Sequence, residues 1–181
     1  MSAQLQLLGS PGRFGAIAAD PPWNESGGGK IKRGADRHYP LLKTEAIPGV
    51  MRRSGVFDPL PNAHLYLWVT NSFLPDGMWV MRTLGFRYVT NLVWVKDRAG
   101  LGQYFRGRHE LCLFGVNGTG LEACTDARDI DTVIEAPRGR HSAKPTSFHE
   151  RVEARSVGPY CEIFARGAAR PGWTIWGNEV S

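Results

Sequence analysis

The chain has 181 residues, of which 22 are Lys or Arg and 17 are Asp or Glu, and its formal net charge is +5. A chain of this length buries about 70% of its unfolded surface in one core, which predicts a single domain over residues 1–181. With 22% charged residues, 10% aromatic residues and no apolar run near about 18 residues, the sequence excludes disordered, collagen-like and membrane-spanning classes.

Apolar, β-favouring runs alternate with stretches of helical pattern along the chain. The predicted strands are 14–19, 65–69, 88–95, 111–116, 132–134, 161–164 and 173–176, and the predicted helices are 44–53, 73–84 and 146–156. The last helix is predicted to begin after Pro145 with a capping box formed by Ser147 and Glu150. Strands that alternate with helices predict an α/β fold, in which helices cover the faces of a sheet.

Three connecting segments, 24–38, 96–107 and 136–143, are long, polar and rich in glycine. Connections of this length are uncommon inside a domain and often form a lid or a binding rim. The first and last of these segments are basic, with positive charges that include Lys30, Lys32, Arg33, Arg138 and Arg140, and would suit an anionic partner. The alternative is an ordinary solvated surface, which needs no anionic partner.

The first 15 residues lack the basic and apolar pattern of a secretory signal, so we expect a cytoplasmic protein. Three dispersed cysteines suit a reducing compartment. The histidines are also dispersed and no H-E-x-x-H occurs, so no metal site is predicted.

The sequence Asp20-Pro21-Pro22-Trp23 directly follows the first predicted strand, where open α/β folds bind their ligands. The two prolines lack backbone N–H groups, which is expected to leave carbonyl oxygens outside any β-ladder. Asp20 adds a carboxylate and Trp23 a flat ring, so the segment would suit a planar base with an exocyclic amine. The alternative is a proline-rich turn with Trp23 in the core.

Further motifs follow in a fixed order and cover about residues 14–180. They are His38-Tyr39-Pro40, Leu65–Thr70 (L-Y-L-W-V-T), Trp94-Val95-Lys96, the block 100–111 (G-L-G-Q-Y-F-R-G-R-H-E-L), Ser142-Ala143-Lys144-Pro145, Glu162–Arg166 (E-I-F-A-R), Gly172-Trp173 and Gly177-Asn178-Glu179. Together with D-P-P-W, they resemble the adenine-N6 methyltransferase family named for the seventy-kilodalton subunit of the mRNA adenosine methyltransferase, which has small bacterial and phage members. Tyr104 and Phe105 depart from the family pattern.

The resemblance implies one Rossmann-like domain with a mixed, mostly parallel sheet, and S-adenosyl-L-methionine as cofactor. The implied catalytic residues are Asp20, Pro21, Pro22 and Trp23. The implied cofactor-binding residues are Asp20, Lys144, Glu162, Phe164, Arg166, Asn178 and Glu179, with Lys144 on the cofactor carboxylate. The residues predicted to bind nucleic acid are Lys30, Lys32, Arg33, Tyr39, Arg106, Arg138 and Arg140, most of which lie on the two basic segments and would hold phosphates around the target nucleotide.

The predicted reaction is methyl transfer to N6 of adenine in nucleic acid, with DNA favoured over RNA. Asp20 and the Pro21 carbonyl would accept the two N6 hydrogens while Trp23 stacks on the base. Two alternatives remain: an inactive nucleic-acid-binding or scaffold member of the same family, and a nicotinamide-nucleotide oxidoreductase based on Gly100-x-Gly102 alone. A homodimer would enlarge the substrate surface of so short a chain.

Overall fold

A computed structural model describes residues 6–8, 12–24, 41–100, 104–139, 143–178 and 180. The described strands are β1 Gln6–Leu8, β2 Phe14–Ala19, β3 Pro59–Val69, β4 Arg87–Val95, β5 His109–Val116, β6 Val133–Glu135, β7 Tyr160–Ile163 and β8 Trp173–Gly177. The described α-helices are α1 Ile47–Arg53, α2 Leu74–Thr83 and α3 Thr146–Arg155, and short 3-10 turns occur at Thr44–Ala46, Asn71–Phe73 and Leu121–Ala123. None of the helices within these ranges is long and apolar enough to cross a membrane.

The strands form one mixed sheet in the order β1-β8-β7-β2-β3-β5-β4-β6. Parallel pairing joins β8 to β7, β7 to β2, β2 to β3 and β4 to β6, and antiparallel pairing joins the remaining neighbours. This arrangement confirms the Rossmann-like α/β prediction of a mixed, mostly parallel sheet flanked by helices.

Two apolar layers cover the sheet. On one face, α1 and α2 pack against Ile17, Leu65 and Leu67. On the other face, α3 packs against Tyr66 and Trp68. Because both faces are covered, the central strand β2 is buried over its whole length, which explains its unbroken apolar sequence.

The strand pairing brings the carboxyl ends of most strands together at one edge of the sheet. Strands β2, β3, β4, β6, β7 and β8 all run in one direction and therefore end at one edge, whereas β5 runs in the opposite direction and begins there. We call this edge the carboxyl edge. Ligand sites of open α/β folds lie at this edge, so its side chains define the candidate site.

All seven predicted strands and all three predicted helices are present; the bounds of β2 match the prediction and the others are shifted at one or both ends. Strand β3 begins at Pro59, six residues before the predicted start at Leu65. The three-residue β1, which pairs with β8, was not predicted. The predicted capping box at Ser147 and Glu150 is wrong, because α3 begins at Thr146 with Pro145 as its N-cap and no side-chain cap.

Candidate active site

The Asp20–Trp23 segment leaves β2 at the carboxyl edge. The Asp20 N–H donates to the Ile163 carbonyl at 3.3 Å, which extends the pairing with β7 by one step. The Pro21 carbonyl accepts the Trp23 N–H at 2.9 Å, and the Pro22 carbonyl accepts the Leu42 N–H at 2.8 Å. The prediction that both carbonyls stay outside β pairing is therefore wrong for Pro22, because Trp23 and Leu42 form a parallel β-bridge.

Trp23 is a buried anchor for this segment. Its ring is 5% exposed and lies 5.4 Å from the Phe73 ring, between centroids. Its indole N–H donates to the Trp68 carbonyl at 3.0 Å. A ring buried in this way has no open face for a base. The observed position of Trp23 therefore does not fit its predicted stacking on the target base. Its hydrogen bond instead fixes the path of the chain after Asp20.

Four charged side chains form a continuous chain of ion pairs at the carboxyl edge. Lys144 Nζ lies 2.9 Å from Asp20 Oδ2 and 3.1 Å from Glu110 Oε2. Lys96 Nζ pairs with the other oxygen of the same carboxylate, Glu110 Oε1. The order is thus Asp20, Lys144, Glu110 and Lys96, with two negative and two positive charges. We call this set the charge chain.

The charge chain is largely shielded from solvent, so its members depend on one another. Burial alone would raise the pKa of Glu110, but Lys144 and Lys96 outweigh it and hold that pKa below its ordinary value. Burial alone would lower the pKa of Lys144, but Asp20 and Glu110 raise it above its ordinary value. Each ammonium also lies over an indole, with Lys144 Nζ 4.9 Å from the Trp68 ring and Lys96 Nζ 4.8 Å from the Trp94 ring.

The predicted cofactor residues occupy different positions at this edge. Lys144 contacts two protein carboxylates, where the sequence predicted the cofactor carboxylate as its partner. Glu162 Oε2 lies 2.9 Å from His149 Nε2, on the α3 face of the sheet. Arg166 is half-buried in the connection from β7 to β8. Glu179 lies outside the described residues.

Phe164 and Asn178 follow β7 and β8 at the carboxyl edge. Phe164 has a φ of 67°, an unfavourable left-handed conformation for a bulky residue, and its ring lies 5.7 Å from the Trp176 ring. Two buried side-chain oxygens at this edge, Thr70 Oγ1 and Asn178 Oδ1, have no hydrogen-bond partner in the described part of the chain. Buried side-chain oxygens are normally hydrogen-bonded in proteins, so these two are available to a polar ligand.

Two of the predicted nucleic-acid-binding residues lie side by side. Arg106 Nε donates to the Gly100 carbonyl at 3.3 Å. A β-carbon at Gly100 would lie 2.9 Å from Arg138 Nη2, and the Arg138 N–H donates to Asp97 Oδ1 at 3.0 Å. The structure thus brings the described residues 96–100 and 104–107 together with 136–139 in one basic surface. The other predicted residues, Lys30, Lys32, Arg33, Tyr39 and Arg140, lie outside the described residues.

Sequence reasoning missed Lys96 and Glu110 as site residues, although both lie in quoted motifs. The available signal was their placement, since Lys96 directly follows the predicted strand 88–95 and Glu110 directly precedes the predicted strand 111–116. Opposite charges at such positions are close enough to pair diagonally across a hairpin, since Glu110 lies opposite Trp94 and the Lys96 N–H bonds to Arg108. Within the described residues, no group of three or more His, Cys, Asp or Glu could hold a metal ion.

The mixed sheet flanked by helices, with a charge chain at its carboxyl edge, is a Rossmann-like α/β fold. Residues 14–179 match the sequence model of the MT-A70 family. The chain belongs to the MT-A70 family, which confirms the resemblance seen in its motifs.

Individual relatives support the same assignment. The chain is 31% identical over 183 residues to "Probable N(6)-adenosine-methyltransferase MT-A70-like" of Oryza sativa subsp. japonica, over 94% of this chain and 23% of that protein. It is 27% identical to the human "N(6)-adenosine-methyltransferase catalytic subunit METTL3", over 93% of this chain and 28% of that protein. It is 26% identical to the human "N(6)-adenine-specific methyltransferase METTL4", over 99% of this chain and 40% of that protein. The chain therefore spans less than half the length of these relatives.

Proposed function

We propose that this chain is an S-adenosyl-L-methionine-dependent methyltransferase that acts on N6 of adenine in nucleic acid. The observation that carries the proposal is the Asp20 carboxylate, held by Lys144 at the carboxyl edge next to the Pro21 carbonyl. Family membership and the printed names of the relatives, which are N(6)-adenosine or N(6)-adenine methyltransferases, support the same reaction.

Asp20 and Pro21 act as acceptors for the target amine. The N6 lone pair of adenine is delocalised into the ring, so the enzyme must localise it and align it with the methyl donor. Asp20 Oδ2 accepts from Lys144, which leaves Asp20 Oδ1 for one N6 hydrogen. The Pro21 carbonyl accepts the Trp23 N–H and keeps a second lone pair for the other hydrogen. Asp20 contributes by position and charge, since the amine becomes acidic only after it is methylated.

Lys144 and Glu110 position Asp20. One ammonium shared by two carboxylates limits the rotation of the Asp20 carboxylate. Glu110 is held in turn by Lys96 at the end of β4. The orientation of the catalytic carboxylate thus depends on a strand that lies beyond β3 and β5 in the sheet.

The residues at the carboxyl edge fit the proposed cofactor. When bound, S-adenosyl-L-methionine supplies an electrophilic methyl group on a sulfonium centre. The unsatisfied Asn178 Oδ1 suits a ribose hydroxyl, and Phe164 lies at the end of the neighbouring strand. Thr70 Oγ1 offers a further polar contact at the end of β3. Lys144 pairs with Asp20 and Glu110 through two of its ammonium N–H groups, and the third would donate to the cofactor carboxylate.

The substrate is a nucleic acid whose target adenine lies outside a base stack. A paired adenine must be flipped out, which costs a few kcal/mol, whereas a single strand presents N6 directly. Arg106 and Arg138, which both lie against Gly100, would hold neighbouring phosphates of this strand. The preference for DNA stays a prediction, because only a contact to the 2′-hydroxyl separates RNA from DNA. The homodimer and the cytoplasmic location also stay predictions.

The test is methyl transfer by the purified chain from methyl-labelled S-adenosyl-L-methionine to single- and double-stranded oligonucleotides of DNA and RNA, followed by digestion and mass spectrometry. We expect labelled N6-methyladenine nucleoside from at least one polymer and no label in a matched oligonucleotide without adenine. The scaffold alternative predicts nucleic-acid binding without transfer to any polymer, and that result would refute the proposal.

A further inference from the structure

Tyr104 and Phe105 are adjacent and almost fully exposed, at 96% and 90%. Single exposed apolar residues are common on protein surfaces, but two neighbouring aromatic rings form a patch that usually marks a contact surface. We propose that Tyr104 and Phe105 bind single-stranded nucleic acid by stacking on bases that flank the target adenine. This inference rests on the proposed function and identifies the part of the chain that holds the strand.

The two rings lie on the hairpin between β4 and β5. Beyond the end of β4, the Lys96 N–H donates to the Arg108 carbonyl at 2.9 Å and the Gly100 N–H donates to the Gly107 carbonyl at 2.7 Å. The hairpin therefore continues past the carboxyl edge. Its base carries Lys96 and Glu110, which belong to the charge chain. The rings thus project from the same edge as Asp20.

Exposed arginines lie on the same hairpin and on the segment beside it. Arg106 directly follows Phe105 and contacts the Gly100 carbonyl, and Arg138 packs against the same Gly100 from the neighbouring segment. Both arginines are exposed, as is Arg98, whose side chain is 88% exposed. An anionic partner is favoured by this charge, and guanidinium groups beside aromatic rings match the alternation of phosphate and base along a single strand.

A protein partner fits this surface less well. The centres of protein interfaces are depleted of charged residues, whereas here Arg106 directly follows the aromatic pair and Arg138 lies against Gly100 of the same hairpin. Stacking also tolerates any base sequence, because every base has a π-face. Stacking contacts of this kind would enlarge the area over which the chain contacts a nucleic-acid strand, and they would not depend on the base sequence of that strand.

The first experiment measures the affinity of the full chain for a short fluorescein-labelled oligoadenylate by fluorescence anisotropy over a series of salt concentrations. Because the double variant Tyr104→Ala/Phe105→Ala loses stacking on two bases, it is expected to bind about 30-fold more weakly or worse. Its salt dependence should stay unchanged, because it removes no charge. The conservative double variant Tyr104→Trp/Phe105→Trp keeps an aromatic ring at both positions and should bind with about the wild-type affinity.

Two controls separate this stacking role from other roles. Leu121→Ala removes an apolar side chain that is 76% exposed beyond the opposite end of β5, and it should leave the affinity within about twofold. The plot of log affinity against log salt has a negative slope. Arg106→Gln/Arg138→Gln should make this slope less steep by about 1.4, as expected for two lost phosphate contacts on a single strand.

An affinity of Tyr104→Ala/Phe105→Ala within about twofold of the wild type would overturn the inference. If this variant instead changes the sedimentation of the free protein from dimer to monomer at unchanged affinity, the surface binds a second copy of the chain and the inference is also wrong. The assay requires no methyl transfer. If the proposed function fails but the inference holds, the chain will bind the oligonucleotide without forming methylated product, and Tyr104→Ala/Phe105→Ala will still weaken that binding.

Discussion

Glu110 is the centre of the charge chain, and Glu110→Gln removes its charge while keeping its shape. The wild-type carboxylate faces Lys144 Nζ at 3.1 Å and Lys96 Nζ through its other oxygen, and its side chain is 18% exposed. After the substitution, Lys144 keeps Asp20 as its partner. Lys96, which is 9% exposed, is left with a neutral amide in place of its carboxylate.

The expected loss of stability follows from these contacts. At an effective dielectric constant of about 20, one ion pair at the Glu110 to Lys144 distance is worth about 5 kcal/mol before desolvation is subtracted. Removing one member of a buried pair typically destabilises a protein by about 3–5 kcal/mol. The amide still accepts a hydrogen bond, so we expect Glu110→Gln to lower the free energy of unfolding by about 3 kcal/mol at neutral pH.

The same substitution predicts a pH dependence with a definite sign. The folded protein holds the pKa of Glu110 below its ordinary value, so the ionised carboxylate stabilises the fold. This contribution is complete above the unfolded pKa of about 4.3 and is lost as the pH falls through the lower folded pKa. The difference in stability between wild type and Glu110→Gln should therefore be constant from about pH 7 to pH 6 and shrink below about pH 4.

Urea unfolding monitored by tryptophan fluorescence at each pH measures this difference. Glu135→Gln is the matched control, because Glu135 is an exposed carboxylate at the end of β6 on the same edge, and its effect should stay within about 0.5 kcal/mol. A loss below about 0.5 kcal/mol for Glu110→Gln at neutral pH, or a difference that grows in acid, would refute the reasoning about the charge chain.

Three further predictions concern residues outside the charge chain. Burial lowers the pKa of His64, so its contribution to stability is complete above about pH 6.5 and decreases below that pH. The free energy of unfolding measured in urea should therefore fall more steeply from pH 7 to pH 5 for the wild type than for His64→Gln. A β-carbon at Gly177 would lie 2.6 Å from Ala165 N, so Gly177→Ala should lower the unfolding free energy by about 1–3 kcal/mol, and an unchanged urea midpoint would contradict this steric clash. Trp23→Phe loses the hydrogen bond to the Trp68 carbonyl and should lower the unfolding free energy by about 1 kcal/mol; equal urea midpoints would argue against its anchoring role.

The sequence predicted the order and type of the main elements because strands buried on both faces have unbroken apolar runs. Strand β2 is the clearest case, with the predicted and observed bounds both at Phe14 and Ala19. The start of β3 was missed because Pro59 and Pro61 interrupt the β pattern. Strand β1 has only three residues, too few to show a periodicity. Short or proline-containing strands are defined by pairing, which a local pattern does not contain.

The site was predictable only in part. Asp20 and Lys144 were assigned through motifs, but their contact joins residues that are far apart in the sequence and meet only through the strand order. Glu110 was missed because its role depends on the antiparallel β5, which begins at the edge where the other strands end. Trp23 was predicted to stack on a base because an aromatic residue beside a carboxylate fits both a core and a binding surface. The structure shows it in the core.

The central claim is that Asp20 holds the amine of adenine for methyl transfer. The most direct test compares methyl transfer by the wild type, by Asp20→Ala and by the matched control Asp129→Ala, at a cofactor concentration that saturates each protein. Asp129 is an exposed carboxylate shortly before β6, beyond the opposite edge of the sheet. We predict that Asp20→Ala lowers kcat by about 100-fold or more and that Asp129→Ala leaves it unchanged. A kcat for Asp20→Ala within a few-fold of the wild type would contradict the claim.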